Sequence, residues 1–189
     1  MKISRNNIFE TNSSSTHVLA IVKEEKGFEY PKQMRFDFGE FGWSYETYYD
    51  TKTKGDYLIT LIFSLDDTDK QRCLDELGNI LTTWGINYSF PEKPRIDSWG
   101  YEDRGYVDHS DSAYNFLFDL LENPNKLARF LFDDKSFITT GNDNDHGYLY
   151  PGIGTEYDYK EADGWTTKPE FFDKLNKLEE EVELYYKGN

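Results

Sequence analysis

The sequence predicts an α+β fold: a single compact domain, residues 1–189, in which a small, mainly antiparallel sheet is packed with about four to five helices, the last an amphipathic C-terminal helix. Three observations lead there. Mean hydropathy is -0.80, which with few aromatics would describe a disordered chain, but 15 Tyr, 14 Phe and 4 Trp supply large groups able to organise a core. Segments with period-two and period-3.6 patterns are interspersed without a βαβ rhythm, which favours α+β over a doubly wound sheet. No internal repeat or low-complexity linker divides the 189 residues, a length that suits one domain.

The elements follow in order. Val18–Val22 is a strand-like run ahead of the charged break Lys23–Gly27, and Met34–Phe38 alternates apolar with polar as a half-buried strand does. Gly39–Trp43 is a glycine-punctuated aromatic turn. Tyr57–Phe63 has the β-branched and aromatic content of a strand, yet Tyr57, Leu58, Leu61, Ile62 and Leu65 recur at helical spacing, and a helix is the expectation. From Thr68 to Trp84 the pattern is clearer. Cys73, Leu77, Ile80, Leu81 and Trp84 share a face behind an acidic first turn, and Gly85 stands where a helix ends.

Ile86–Phe90 alternates and stops at Pro91, so it reads as a strand. Pro91–Asp111 reads as a long surface loop. A helix over Ser112–Glu122 presents Phe116, Leu117, Leu120 and Leu121, and Asn123-Pro124 restarts it with Asn123 as cap. Ser136–Thr140 is a strand expected to end at Gly141, followed by an aperiodic stretch over residues 141–168. Pro169 opens the C-terminal helix, whose apolar positions Phe171, Leu175, Leu178, Val182 and Tyr185 step by four and three.

Charge narrows the function classes. The net charge of -15 disfavours direct contact with a nucleic-acid backbone, which needs Lys and Arg to displace counterions. It permits attraction to a basic partner, such as the nucleic-acid groove of another protein. No apolar run approaches the length of a bilayer span, the N-terminal residues do not lead into an apolar signal region, and one cysteine cannot form an internal disulfide. The expectation is a cytoplasmic chain with no membrane association.

Three segments carry chemistry-bearing side chains. Thr11–His17 places five hydroxyls beside an imidazole. It offers donors to an anion, or a serine such as Ser14 near His17 as nucleophile, while a Ser/Thr loop ahead of a strand also satisfies its own backbone. Tyr106–Asp111 sets Asp108 beside His109, and a carboxylate can orient and charge-support such a ring. The three histidines, His17, His109 and His146, lie far apart in sequence without HxxxH or CxxC spacing, so no metal site is specified. Thr139–Gly147 alternates Asn and Asp like an EF-hand loop, but the twelfth position falls on Ile153, which has no carboxylate, and that excludes one. No GxxxxGK[ST] or GxGxxG occurs, and no cofactor is expected.

Between Asp97 and Asp163 fifteen acids face five bases, so two-thirds of the acid excess falls in about a third of the chain. Tyrosines including Tyr106 and Tyr148 are interleaved there. Carboxylates in place of phosphates, with phenol rings as amphipathic anchors, suit a surface that imitates nucleic acid. The candidate binding residues are Asp108, Asp111, Asp143, Asp145, Tyr106 and Tyr148; the candidate catalytic residues are Ser14, His17, His109 and Asp143.

Asn7-Ile8-Phe9-Glu10-Thr11-Asn12-Ser13-Ser14-Ser15-Thr16-His17, together with Gly39–Trp43, Gly105–His109 and Thr140–Asn144, resembles a set found in small, mostly uncharacterised proteins of phages and prophages of Gram-positive bacteria. The resemblance spans residues 7 to about 144 and carries over no catalytic residue. It implies a setting. Phage accessory proteins of this size often counter host defences, and inhibitors of CRISPR nucleases are one such class. The leading expectation is therefore an anti-defence accessory protein that binds and inhibits a basic, nucleic-acid-handling host protein, with a Cas nuclease as the type of partner. A small enzyme or ligand-binding protein acting on a phosphate-bearing nucleotide or RNA through the Ser-rich loop, His17, His109 and Asp143 is the alternative. A virion or assembly component oligomerising through the C-terminal helix is the third.

Overall fold

The computed structural model describes residues 15–42, 45–92, 95–96, 102–103, 105–108, 113–142 and 149–187. The first strand, β1 (Ser15–Val22), is central to a four-stranded antiparallel sheet. Its neighbours are β9 (Phe137–Asn142) on one side and β12 (Val182–Lys187) on the other, and β4 (Glu46–Tyr48) lies beyond β9. Alternation along β1 sends its side chains to two cores. Leu19 and Ile21 meet the helices on one face, while Val18 and Ala20 join Phe137, Val182 and Phe171 on the other.

The first face is covered by α1 (Thr51–Ser64), α2 (Asp67–Thr83), α3 (Ala113–Glu122) and α4 (Pro124–Phe132). Helix α1 is the hub of this layer, with every side chain from Tyr57 to Ile62 buried. A helix enclosed on all sides has no polar face, which is why its sequence reads equally as a strand. It also begins six residues before Tyr57, because the Asp50 carboxylate accepts the Thr53 N–H at 2.8 Å and caps it.

Helix α2 follows the sequence pattern closely. Asp66 caps Thr68 and Asp69, Cys73, Leu77, Ile80 and Leu81 are buried, and Gly85 takes φ +73° just past the end. The Trp84 N–H reaches Ile80 O at 3.0 Å, closing the helix with that left-handed residue. At the start of α4, Pro124 occupies the first turn as expected, but the Asn123 side chain does not cap it. Its amide instead donates to the Asp119 carbonyl and carboxylate, at 2.9 and 3.0 Å, tying the end of α3.

Two further elements differ from the sequence reading. Within residues 91–111 the chain forms short strands, β6 (Arg95–Ile96), β7 (Glu102–Asp103) and β8 (Tyr106–Val107). β6 pairs with β7, and β8 pairs in parallel with β3 (Glu40–Phe41), burying Val107 in the main core. Gly105 is required at that approach. Its φ is +62°, and an added Cβ would stand 2.2 Å from the Gly39 carbonyl oxygen. Another parallel pair joins β2 (Gln33–Arg35) to β5 (Asn87–Ser89).

At the C-terminal end the helix, α5 (Pro169–Glu181), stops earlier than its apolar spacing predicts, and Val182 and Tyr185 belong to strand β12. The reason is competition for the open edge of β1, where Val182–Lys187 gains a six-residue antiparallel ladder. Alternation then sends Leu184 to the second core and Tyr185 to the first. Residues 149–168 also carry order: β10 (Leu149–Tyr150) pairs with β11 (Gly154–Thr155), and a 3-10 turn covers Glu156–Tyr159. Helix α5 lies on the second sheet face, with Phe171 buried and Leu175 and Leu178 packed beside it. Phe171, Leu175 and Leu178 thus pack within the chain, while Phe172 is exposed. Among the described residues no helix is long and apolar enough to cross a membrane.

Candidate functional site

The antiparallel register brings two of the sequence motifs together. Ser15 stands opposite Asn142, Thr16 opposite Gly141 and His17 opposite Thr140, so the end of the Ser-rich segment and the start of the Asn/Asp segment share one end of the sheet. The third motif reaches the same region through the core. The N–H of Tyr106 donates to Gly39 O at 2.9 Å and that of Asp108 to Phe41 O at 2.8 Å, fixing β8 beside Phe41. The Phe41 ring then meets Tyr57 edge-on, with centroids 5.0 Å apart.

His17 is fully buried, and its Nδ1 lies 3.1 Å from the Tyr57 hydroxyl. Burial holds the Tyr57 phenol far above its ordinary range, so it stays neutral and available as a hydrogen-bond donor or acceptor. Tyr57 is thus the pillar on which the ends of β1, β3 and β8 are placed. Tyr106 and Asp108 are half-buried at this end. Ser14, His109, Asp111, Asp143, Asp145 and Tyr148 lie outside the described residues, as do Trp43, Tyr101, Ser112 and His146.

Two polar clusters use charges that the sequence reading left undivided. Lys54, on α1, is fully buried and donates to the carbonyls of Asp133 at 2.7 Å and Ser136 at 3.0 Å. Burial pulls its ammonium down to about 8, against the opposing fields of Asp133, Asp50 and Asp134. The Asp133 carboxylate, 1% exposed, meets Lys26 at 2.7 Å and the Lys135 N–H at 2.9 Å. Burial raises the Asp133 carboxyl, but the Lys26 and Lys135 hydrogen bonds outweigh that and hold it below the usual range. Ser136 completes the turn by donating to Arg129 O and accepting the Val22 N–H, stapling α4 to β1.

The second cluster joins α3, α4 and β12. Lys126 Nζ lies 2.8 Å from Asp119, 3.0 Å from Glu183 and 2.6 Å from the Tyr185 hydroxyl. Burial works against the ammonium, but the hydrogen bonds to Asp119, Tyr185 and Glu183 hold it above the ordinary lysine range. Asp119 and Asp133 both fall between Asp97 and Asp163. They serve internal structure, and α3, α4 and β9 run through the middle of that acidic stretch.

Sequence reasoning missed two features. One is the pairing of His17 with Tyr57, which spans 40 residues and has no local signal. The other is an open groove of about 870 Å³ between the outward face of α2 and the α3–α4 junction. Its signal was present in the polar positions of α2 that alternate with the buried stripe. Among the described residues no group of three His, Cys, Asp or Glu comes together as a metal site. No family model, curated protein or solved structure matches the chain.

Proposed function

We propose that this chain is an anti-defence accessory protein of the phage type, which binds a basic, nucleic-acid-handling host protein and occludes its nucleic-acid groove. A CRISPR effector nuclease is the partner class. The observation that carries this reading is the distribution of ion pairs. Lys26, Lys52, Lys70, Arg72, Lys126 and Lys135 each sit against a carboxylate of the same chain. Each such pair cancels, and among the described residues carboxylates outnumber cations on exposed faces, among them Glu24, Glu25, Asp75, Glu76, Glu122, Glu179 and Glu180. A surface of this kind attracts a Lys- and Arg-lined groove and repels nucleic acid itself.

The test is competition with labelled target DNA for purified, guide-loaded CRISPR effector nucleases. The protein is expected to displace the DNA, and reversing Asp108, Asp111, Asp143 and Asp145 to Lys is expected to weaken displacement while circular dichroism stays unchanged. Absence of displacement across the panel contradicts the proposal.

A second reading, a ligand-binding or catalytic pocket for a phosphate-bearing nucleotide, is favoured by the pairing of Ser15–His17 with Thr140–Asn142. The register gathers residues of hydroxyl and amide type at one sheet end, a composition that suits an anion. Calorimetric titration with mononucleotides and short RNA separates the readings. Heat of binding that is lost in Ser14→Ala supports a pocket; no heat with the wild-type chain removes it.

A further inference from the structure

The wall of the groove along α2 is regular. Thr68, Arg72, Asp75, Asn79 and Thr83 recur at helical spacing on the face turned away from the core. From Thr68 to Trp84 this wall runs about 24 Å at the α-helical rise per residue. The opposite side is supplied by Leu121, Glu122 and Pro124, where α3 ends and α4 begins.

The two ends of the groove differ in chemistry. Toward Trp84 its lining is apolar, with the half-buried Trp84 and the exposed Pro124 at the surface and Ile80 and Leu121 buried in the core. The Trp84 ring is already fixed. It stacks on Tyr30 with centroids 4.9 Å apart and planes at 8°, and meets Phe132 edge-on at 5.7 Å. A pre-ordered aromatic loses little rotamer freedom on binding, which is the property of an interface anchor. Around this surface Asp75, Glu76 and Glu122 present exposed carboxylates. Arg72 is engaged within the chain, 2.8 Å from Asp69 and 5.6 Å from the centre of the Phe118 ring. The potential of the groove is therefore set by its acids.

We propose that this groove seats a basic amphipathic helix of the partner protein, an inference that rests on the binding function proposed above and locates one contact of it. The apolar stripe of the incoming helix would cover Trp84 and Pro124, and its Lys or Arg side chains would meet Asp75, Glu76 and Glu122. A helix fits better than an extended strand, because among the described residues the lining comes from α2 and the α3–α4 junction and no strand edge offers backbone pairing. Charge complementarity selects a cationic occupant over an acidic or neutral one.

The probe is a fluorescein-labelled synthetic peptide of about 16 residues, matching the length of the groove, with a leucine stripe flanked by lysines. Its binding to the full chain is followed by anisotropy. The wild-type protein is expected to bind it saturably, and Asp75→Lys with Glu76→Lys is expected to weaken binding at least about tenfold. Asn79→Trp, which fills the groove without changing charge, is expected to do the same. Glu179→Lys with Glu180→Lys makes an equal charge change on α5, across the sheet from the groove, and is expected to shift affinity less than about twofold. Equal weakening by both charge variants, with no effect of Asn79→Trp, overturns the groove and leaves a diffuse acidic attraction. Failure of the wild type to bind the peptide also overturns the groove. Neither outcome touches the nuclease competition, which tests the binding function on its own.

Discussion

Tyr57→Ala is expected to lower the free energy of unfolding by about 3–5 kcal/mol, the range for deleting a buried aromatic from a core. Its side chain is among the largest that the fold buries completely, on a helix enclosed by the sheet and three other helices. Three things are lost together: the ring contact with Phe41, the hydroxyl facing His17, and the volume that keeps β3 and β8 against α1. Because whole domains are stable by only about 5–15 kcal/mol, this variant should populate the unfolded state measurably. Tyr57→Phe keeps the ring and removes only the hydroxyl, and should cost about 1–2 kcal/mol. Urea unfolding followed by circular dichroism gives both values. A Tyr57→Ala midpoint equal to that of Tyr57→Phe would show that the ring is not the pillar described.

The second large effect concerns Lys54 and pH. Its folded-state pKa of about 8 lies below the ordinary 10.5, so between those values the unfolded chain binds more protons than the folded one. Stability then rises with pH in this window. The gain from Lys54 should reach about 2 kcal/mol by pH 10, from the linkage relation. Cys73, whose thiol is raised by burial, acts with the opposite sign as the unfolded thiol ionises. It is common to wild type and to Lys54→Met, so the difference between the two proteins isolates the lysine. The expected result is a urea midpoint whose wild-type-minus-variant difference grows from pH 8 to pH 10. A difference that is flat over this window would mean that Lys54 keeps its charge at no cost, through solvent or a carboxylate.

Legibility in the sequence followed how local each cause is. Helix α2 was readable because its buried stripe, its acidic first turn and its terminal glycine all lie within 19 residues. The same holds for β1, a continuous apolar run bounded by charges. The boundary between α5 and β12 was not readable, because Val182 and Tyr185 satisfy helical spacing and strand alternation alike. What decides is the vacant edge of β1, some 160 residues away. Strands β6, β7 and β8 are two residues long, too short to show a period, and exist only through their partners. Lys54 is the sharpest case. Thr51-Lys52-Thr53-Lys54 contains no apolar residue, yet the carbonyls of Asp133 and Ser136 draw the Lys54 ammonium into the core.

The candidate site was legible to the same extent. Each motif could be recognised in isolation, and the convergence of the Ser-rich and Asn/Asp segments depended on the pairing of β1 with β9. The acid-rich stretch between Asp97 and Asp163 was visible as composition. That Asp119 and Asp133 are spent on Lys126 and Lys26 could not be read from it, since those pairs are set by helix and turn placement.

The salt dependence of competition tests the central claim most directly. Displacement of labelled DNA from a guide-loaded CRISPR effector nuclease is to be measured from about 50 to about 500 mM monovalent salt, a range over which the Debye length falls to a few ångströms. Occlusion by an acidic surface predicts displacement at the low end that weakens steeply as salt rises, with the DNA-free nuclease retaining the protein more weakly at each step. Tight binding that is unchanged across the range, or no displacement at the lowest salt, contradicts it.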